Sequence, residues 1–340
     1  MSNETIEWLN TNTRIGFTDN RGHAWHWREG ATNHFSGPVP REEVVKLLNQ
    51  VKPVKRRTGW FNTETGQWVE MPDTTTIVDG TTHFGTFKST YQIHPFEEWL
   101  VHNVDTLLNE DVGIGSAGLL AKGATAWVQV EMPESVRTPD GVDLRPNLLA
   151  VTSLNGRYAT GYQECYGIVV CDNTLAGAYR EKGRKVRIRH TRLSLDRIGQ
   201  VRADLAIMAL TDMAEEITGQ IGQLVQVKVN DATFTKWLNA WHPVPEETGR
   251  AKTRAQNIQD DMYQLWEHDA RVTPWKKTAF GVLQAANTYE THFKTVKGTN
   301  RAERNMMNVL DGKTDKADNR AFEVLESVLG RELLKKEKVN

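Results

Sequence analysis

The sequence predicts an α+β fold: a mixed, mainly antiparallel sheet with two or three helices in the N-terminal half, and a helical C-terminal half. Three observations predict it. Up to about Ser194, short apolar runs alternate with polar residues and are parted by Gly-containing turns. Beyond it, apolar residues recur at the three- and four-residue spacing of amphipathic helices. The 340 residues, 39% hydrophobic and 25% charged, suit a soluble globular chain large enough for two domains. The divisions expected are an arm at 1–38, an α+β core at 39–193 and a helical domain at 194–340.

The elements follow in order. Residues 1–38 read as an irregular arm, with Asn20-Arg21-Gly22 and Ser36-Gly37-Pro38 as breakers. Pro40 opens a helix whose apolar face is Val44, Val45, Leu47, Leu48 and Val51. Residues 54–94 read as a meander, from Trp60-Phe61 through Gln67-Trp68-Val69 to Phe84-Gly85-Thr86-Phe87. Pro95 begins a second helix with Phe96, Trp99, Leu100 and Val104 inward. Gly113-Ile114-Gly115-Ser116-Ala117-Gly118 spells the dinucleotide-binding pattern. That pattern cradles a pyrophosphate only between a strand and a helix. Here a helix signal precedes it and a strand follows, so a loop with left-handed glycines is expected. Strands are expected at 126–132, 148–152 and 166–171, with a turn at Thr138-Pro139-Asp140-Gly141. Helical periodicity runs over 195–205, then centres on Phe234–Trp241, Ile258–Trp266, Thr278–Phe293, Met306–Leu310 and Phe322–Leu334. Trp99 and Trp127 belong to the core. Trp25 and Trp27 flank His26 in the arm, placed either to stack bases or to pack on a neighbour.

Charge narrows the function. Lys and Arg number 42 against 43 Asp and Glu, a net charge of −1, which excludes a histone-like binder held by massed charge but not a local basic groove. One such stretch exists. Arg180, Lys182, Arg184, Lys185, Arg187, Arg189 and Arg192 meet only Glu181 locally, with His190 among them. Over 185–189 the cations alternate with Val186 and Ile188, so an extended chain would have one greasy and one cationic face. Guanidinium groups fork onto phosphate oxygens. The competing account is an edge strand whose charge prevents unwanted pairing. Lys55, Arg56 and Arg57, after Lys52, form a second cluster that either completes a groove or steadies the end of the preceding helix.

No catalytic constellation is legible. Cys165 and Cys171 are too widely spaced for a zinc pair and have no second pair, so with His190 they make at most three ligands. The carboxylates are scattered. Phosphate-loop, zinc-protease and nucleophile-elbow patterns are missing from the sequence. The expectation is therefore no catalytic residue, no metal and no cofactor. Two cysteines make a reducing compartment the simpler setting, and no leader or membrane-length apolar run is seen.

Several blocks in consistent order resemble the phage/plasmid-like protein family of actinobacterial phages and plasmids: Tyr91-Gln92, Gly118 and Gly123 before Trp127, Thr152-Ser153-Leu154-Asn155-Gly156, Cys171-Asp172-Asn173-Thr174-Leu175, Arg189-His190-Thr191, and Thr278-Ala279-Phe280-Gly281 through His292. Leu154 stands where the family tends to have His, and Phe280 where it has Trp. The resemblance implies a mobile-element protein in the host cytoplasm and no known activity. A fainter similarity, in strand order and the basic strand, is to the Erf and Red-beta types of single-strand annealing recombinase.

The expected function is a phage-encoded nucleic-acid-binding protein of recombination or replication, in its sharpest form single-strand DNA binding and annealing. Its partners would be single-stranded DNA or another nucleic acid, further copies of the chain in a homo-oligomer, and a phage recombinase or host protein. Two alternatives stand beside it. One is a self-assembling or host-partner-binding protein with no nucleic-acid role. The other is a nuclease or nucleotide-processing enzyme built on Asn155, Asp172, Asn173 and His190.

Overall fold

The computed structural model describes residues 3–20, 32–105, 108, 112–132, 135–168, 173–175, 185–188, 190 and 203–334. It is α+β, with antiparallel sheets in the N-terminal half and mostly helices in the C-terminal half.

The larger sheet runs β1 (Thr13–Ile15), β5 (Gly113–Leu120), β6 (Thr125–Glu131), β8 (Asp143–Ser153), β9 (Thr160–Ile168) and β10 (Asn173–Leu175), all antiparallel neighbours. Short β7 (Val136–Arg137) pairs with β8, and β11 (Lys185–Ile188) pairs with β9 beside β10. The smaller sheet is the meander β2 (Val54–Asn62), β3 (Gln67–Asp79) and β4 (Thr82–Lys88).

The first correction concerns the arm. Its start is helix α1 (Asn3–Asn12), and Thr13–Ile15 is a strand paired with Gly118–Ser116. Asn33 locks the return, its amide donating to Leu9 O (3.1 Å) and Thr13 Oγ1 (2.8 Å). A second correction is Gly113–Gly118. It is strand, not loop, and its glycines are not left-handed. They are small because large side chains cross them. A Cβ at Gly118 would lie 2.6 Å from the Trp127 indole nitrogen, and one at Gly115 would lie 2.1 Å from the Glu131 carboxyl carbon. No anion-cradling backbone remains there.

The two faces of the large sheet differ. Ala117, Leu119, Ala126, Val128, Val130, Leu148 and Ala150 point to one side. There they pack on α2 (Arg41–Leu48) and on the helical segment with a π-helical turn at Glu97–Val101 continuing as α3 (His102–Asp105). Pro40, with its fixed φ, stands at the N-cap of α2.

The other face carries Trp127, Gln129 and Glu131 on β6 opposite Val151, Leu149 and Asn147 on β8. The C-terminal helices cover it. These are α4 (Ala203–Gln226), α5 (Asp231–Trp241), α6 (Arg250–His268), α7 (Ala279–Thr288) running into a π-helical turn (Tyr289–Phe293), α8 (Arg301–Leu310) and α9 (Lys313–Leu329). Their shared core is aromatic: Phe234 stacks on Trp266 at 4.4 Å and Trp237 on Trp241 at 5.2 Å. Val142, just before β8, and Leu144 of β8 join this core.

Polar ties hold α8 on the sheet. Ala121 N donates to Glu303 Oε1 (2.7 Å), and Arg157 Nη2 and Tyr158 OH both donate to Asp311 (2.7 Å each). Burial alone would raise the Asp311 carboxyl, but the bonds from Arg157, Tyr158 and Lys313 win and hold it down at about 2. None of the helices among the described residues is long and apolar enough to cross a membrane.

Candidate functional site

Three places concentrate chemistry: a projecting β-ribbon, a stack of rings beneath it, and a polar cavity between sheet and helices.

The ribbon is the outer part of the β2–β3 hairpin. Trp60 pairs with Val69 and Phe61 with Trp68 across it. Directly opposed residues share a face and neighbours alternate, so Trp60 with Val69 and Phe61 with Trp68 lie on opposite faces. All are exposed: Trp60 by 51%, Phe61 by 59% and Trp68 by 57%. A Cβ at Gly59 would meet Trp68 ring carbons at 2.6 Å, so Gly59 lets that indole lie flat on the strand. At the ribbon's foot Lys55, Arg56 and Arg57 are exposed, Arg57 making a surface ion pair with Glu70 at 3.4 Å. Between Thr58, Thr76 and Thr86 runs a ladder of hydroxyl bonds at 2.8 and 3.1 Å. Trp60, Phe61 and Trp68 together leave apolar surface open to water, the kind of patch that marks an interaction site.

The ring stack joins the foot of this ribbon to the end of β11. Phe87 of β4 stacks on Tyr91 at 4.2 Å, Tyr91 on His190 at 5.1 Å, and His190 on His94 at 3.8 Å. His190 Nδ1 donates to Gln92 O (3.1 Å), so in the neutral ring its Nε2 accepts from Thr160 Oγ1 (3.0 Å). Thr160 in turn accepts from His94 Nδ1 (2.7 Å) and Thr152 Oγ1 (2.6 Å). Burial lowers His190 to about 4, and burial together with the neighbouring His190 lowers His94 to about 3. Both rings are neutral at pH 7.

The basic run is thus placed unevenly. Lys185 and Arg187 occupy β11, in the register rows of Leu149 and Val151. Val186 shares the row of Tyr162 and Ala150. His190 sits inside the ring stack rather than on an open face. Arg180, Lys182, Arg184, Arg189 and Arg192 lie outside the described residues, as do Trp25, Trp27, Cys171 and Asp172. Asn155, offered for catalysis, spends its Oδ1 on Arg157 N (3.0 Å) in its own turn. Among the described residues no three His, Cys, Asp or Glu side chains gather as a metal site.

The cavity, of about 560 Å3, was not foreseen. Its floor is the second face of the sheet, with Ser116, Gln129, Glu131, Arg145, Asn147 and Trp127. Glu131 (1% exposed) and Arg145 (2%) form a buried ion pair at 3.3 Å. Ser116 Oγ donates to Gln129 Oε1 at 2.6 Å. Its roof is the π-helical turn, α8 and α9. That turn presents Glu290 and Thr291; such turns are frequent at functional sites. Asp318 of α9 accepts from Asn287 Nδ2 (2.9 Å) and is raised to about 8, mainly by burial.

An α+β chain with a polar cavity between its sheet and its helices is the class these observations define. The family model for a domain of unknown function, DUF932, matches residues 83–311, and the chain belongs to that family. Neither a curated protein nor a solved structure matches it. The matched segment holds the ring stack from Phe87 on and the sheet floor of the cavity, whereas β2 and β3 precede it.

Proposed function

We propose that this chain binds nucleic acid as a mobile-element protein of recombination or replication, gripping single strands with the β2–β3 ribbon. The observation that carries the reading is the pairing of exposed cations with exposed aromatics on one element: Lys55, Arg56 and Arg57 beside Trp60, Phe61 and Trp68. Cations follow a phosphate backbone, and each base stacked on an aromatic ring contributes about 1–3 kcal/mol without regard to sequence. β11 supports the reading, since Lys185 and Arg187 lie in it and its end meets the ring stack at the ribbon's foot. The ribbon itself is close to balanced, with Lys52, Lys55, Arg56, Arg57 and Lys88 against Glu64, Glu70, Asp73 and Asp79. Stacking therefore carries much of the affinity. The setting is the host cytoplasm, as the similarity to phage and plasmid proteins implies, and annealing by a homo-oligomer of the Erf or Red-beta type is its sharpest form.

The test is fluorescence anisotropy of a labelled single-stranded oligonucleotide over a salt series. Binding should weaken with salt with a slope of about two to three counterions, and the triple variant K55A/R56A/R57A should flatten most of that slope. No binding at low salt, or an unchanged slope, contradicts the proposal. A second reading, docking of a protein partner or a second copy, draws on the same exposed aromatics. It is favoured if light scattering shows assembly that Trp60→Ala and Trp68→Ala abolish while no oligonucleotide binds.

A further inference from the structure

The floor of the cavity is unusual for a sheet interior. Strand residues that face a core are normally apolar, because an unpaired polar atom buried there costs about 1–3 kcal/mol. Here Asn147 is 1% exposed, donates its amide to Arg145 O (3.2 Å), and has no hydrogen-bond partner for Oδ1 among the described residues. The Trp127 indole N–H, on the neighbouring strand, likewise has none among them. Gly118 permits that indole's position: any side chain there would strike it.

The roof adds charge. Arg304 of α8 donates through Nη2 to the carbonyls of Glu290 (2.9 Å) and Thr291 (3.3 Å), and its Nε has no partner among the described residues. The Glu290 carboxylate that would balance it is held by Lys294 at 2.7 Å. Arg320 donates to Trp241 O (2.7 Å). In the lining Arg145 pairs with Glu131, Lys294 with Glu290 and Lys313 with the adjacent Asp311, which leaves Arg304 and Arg320 as the cationic excess. Asp318, raised to about 8, does not offset this at neutral pH. Exposed Lys294 and Lys313 mark the rim. The apolar part of the wall is Trp8, Leu120, Trp127 and Leu149, members of one hydrophobic cluster.

We propose that this cavity binds a small organic anion bearing a planar ring, the chemistry of a nucleotide. The ring lies against Trp8 and Trp127. The anionic end meets Arg304 and Arg320. The volume lies within the range of about 300–1,000 Å3 typical of small-molecule sites. This site is independent of the ribbon and of whether the ribbon binds nucleic acid.

The test is isothermal titration of the full chain with adenosine 5′-monophosphate, adenosine and inorganic phosphate as probes. The monophosphate should bind at a single site, with adenosine and phosphate each weaker by about tenfold or more, since each lacks one end. Trp8→Ala, which removes one wall of the ring's seat, and Arg304→Gln should each weaken binding about tenfold. Ala317→Phe fills the cavity from α9 and should abolish binding while circular dichroism shows an unchanged melting profile. Absence of monophosphate binding at millimolar concentration overturns the proposal. So does phosphate binding as tightly as the monophosphate, or undiminished affinity in Ala317→Phe. Should Arg304→Gln fail to fold, Ala317→Phe decides. Oligonucleotide anisotropy on Ala317→Phe keeps the two sites apart: it should be unaltered.

Discussion

Glu131 and Arg145 face each other in the sheet interior with 1% and 2% of their side chains exposed. Their attraction does little more than offset their own desolvation, but replacing one charge leaves its buried partner less well balanced, at a cost of about 1–3 kcal/mol. Glu131→Gln should destabilise the fold by about that much in urea unfolding at pH 7; a change under about 1 kcal/mol contradicts the account. Asp318 gives a pH-dependent counterpart. Its carboxyl is raised from 3.8 to about 8, so the folded chain keeps a proton that the unfolded chain releases. The stability held in that proton is complete below about pH 4 and is lost as pH rises through 8. Asp318→Asn should therefore raise the melting temperature at pH 8 and leave it nearly unchanged at pH 4; equal effects at both pH values contradict it. Little of this was legible. Trp127, Gln129 and Glu131 alternate with Ala126, Val128 and Val130, which reads as a strand half open to water. Burial of the polar row depends on helices more than a hundred residues away, such as α8, and no local spacing announces them.

At the scale of elements, the ring stack is the joint between β4, the Tyr91–His94 stretch and the end of β11. Both imidazoles are depressed, to about 3 and about 4, so the neutral rings contribute stability that is full above pH 6.5 and lost as pH falls through 4. The His190 ring protons in NMR should show no titration step between pH 8 and 5; a step near 6.5 contradicts the stack. The ribbon makes the opposite kind of element, since its aromatics contribute little to the fold. W60A/F61A/W68A should leave unfolding free energy within about 0.5 kcal/mol, as surface changes usually do. Loss of folding would show the ribbon to be packed instead. The meander, the helix after Pro40 and the C-terminal helices from Phe234 on were all readable from periodicity. Gly113–Gly118 was not, because glycine serves both turns and strands crossed by large side chains, and only the partners Trp127 and Glu131 distinguish them. The π-helical turn at Tyr289–Phe293 likewise leaves no mark in a pattern that continues helically.

For the whole molecule, a single sheet serves two cores. One face closes on α2 and the segment at 97–105; the other meets the helical half and leaves a cavity between them. The family segment, 83–311, spans both cores in part, and the ribbon stands before it. The sheet floor of the cavity lies within the matched segment, whereas Trp8, the α9 part of the roof and the β2–β3 ribbon lie outside it. The proposed nucleic-acid contact is this ribbon. Ultraviolet crosslinking of the full chain to a single-stranded oligothymidine, followed by peptide mass spectrometry, tests it most directly. Adducts should concentrate on peptides spanning 54–71, at Trp60, Phe61 or Trp68. Adducts confined to other segments, or none under conditions that crosslink a known single-strand binder, would contradict it.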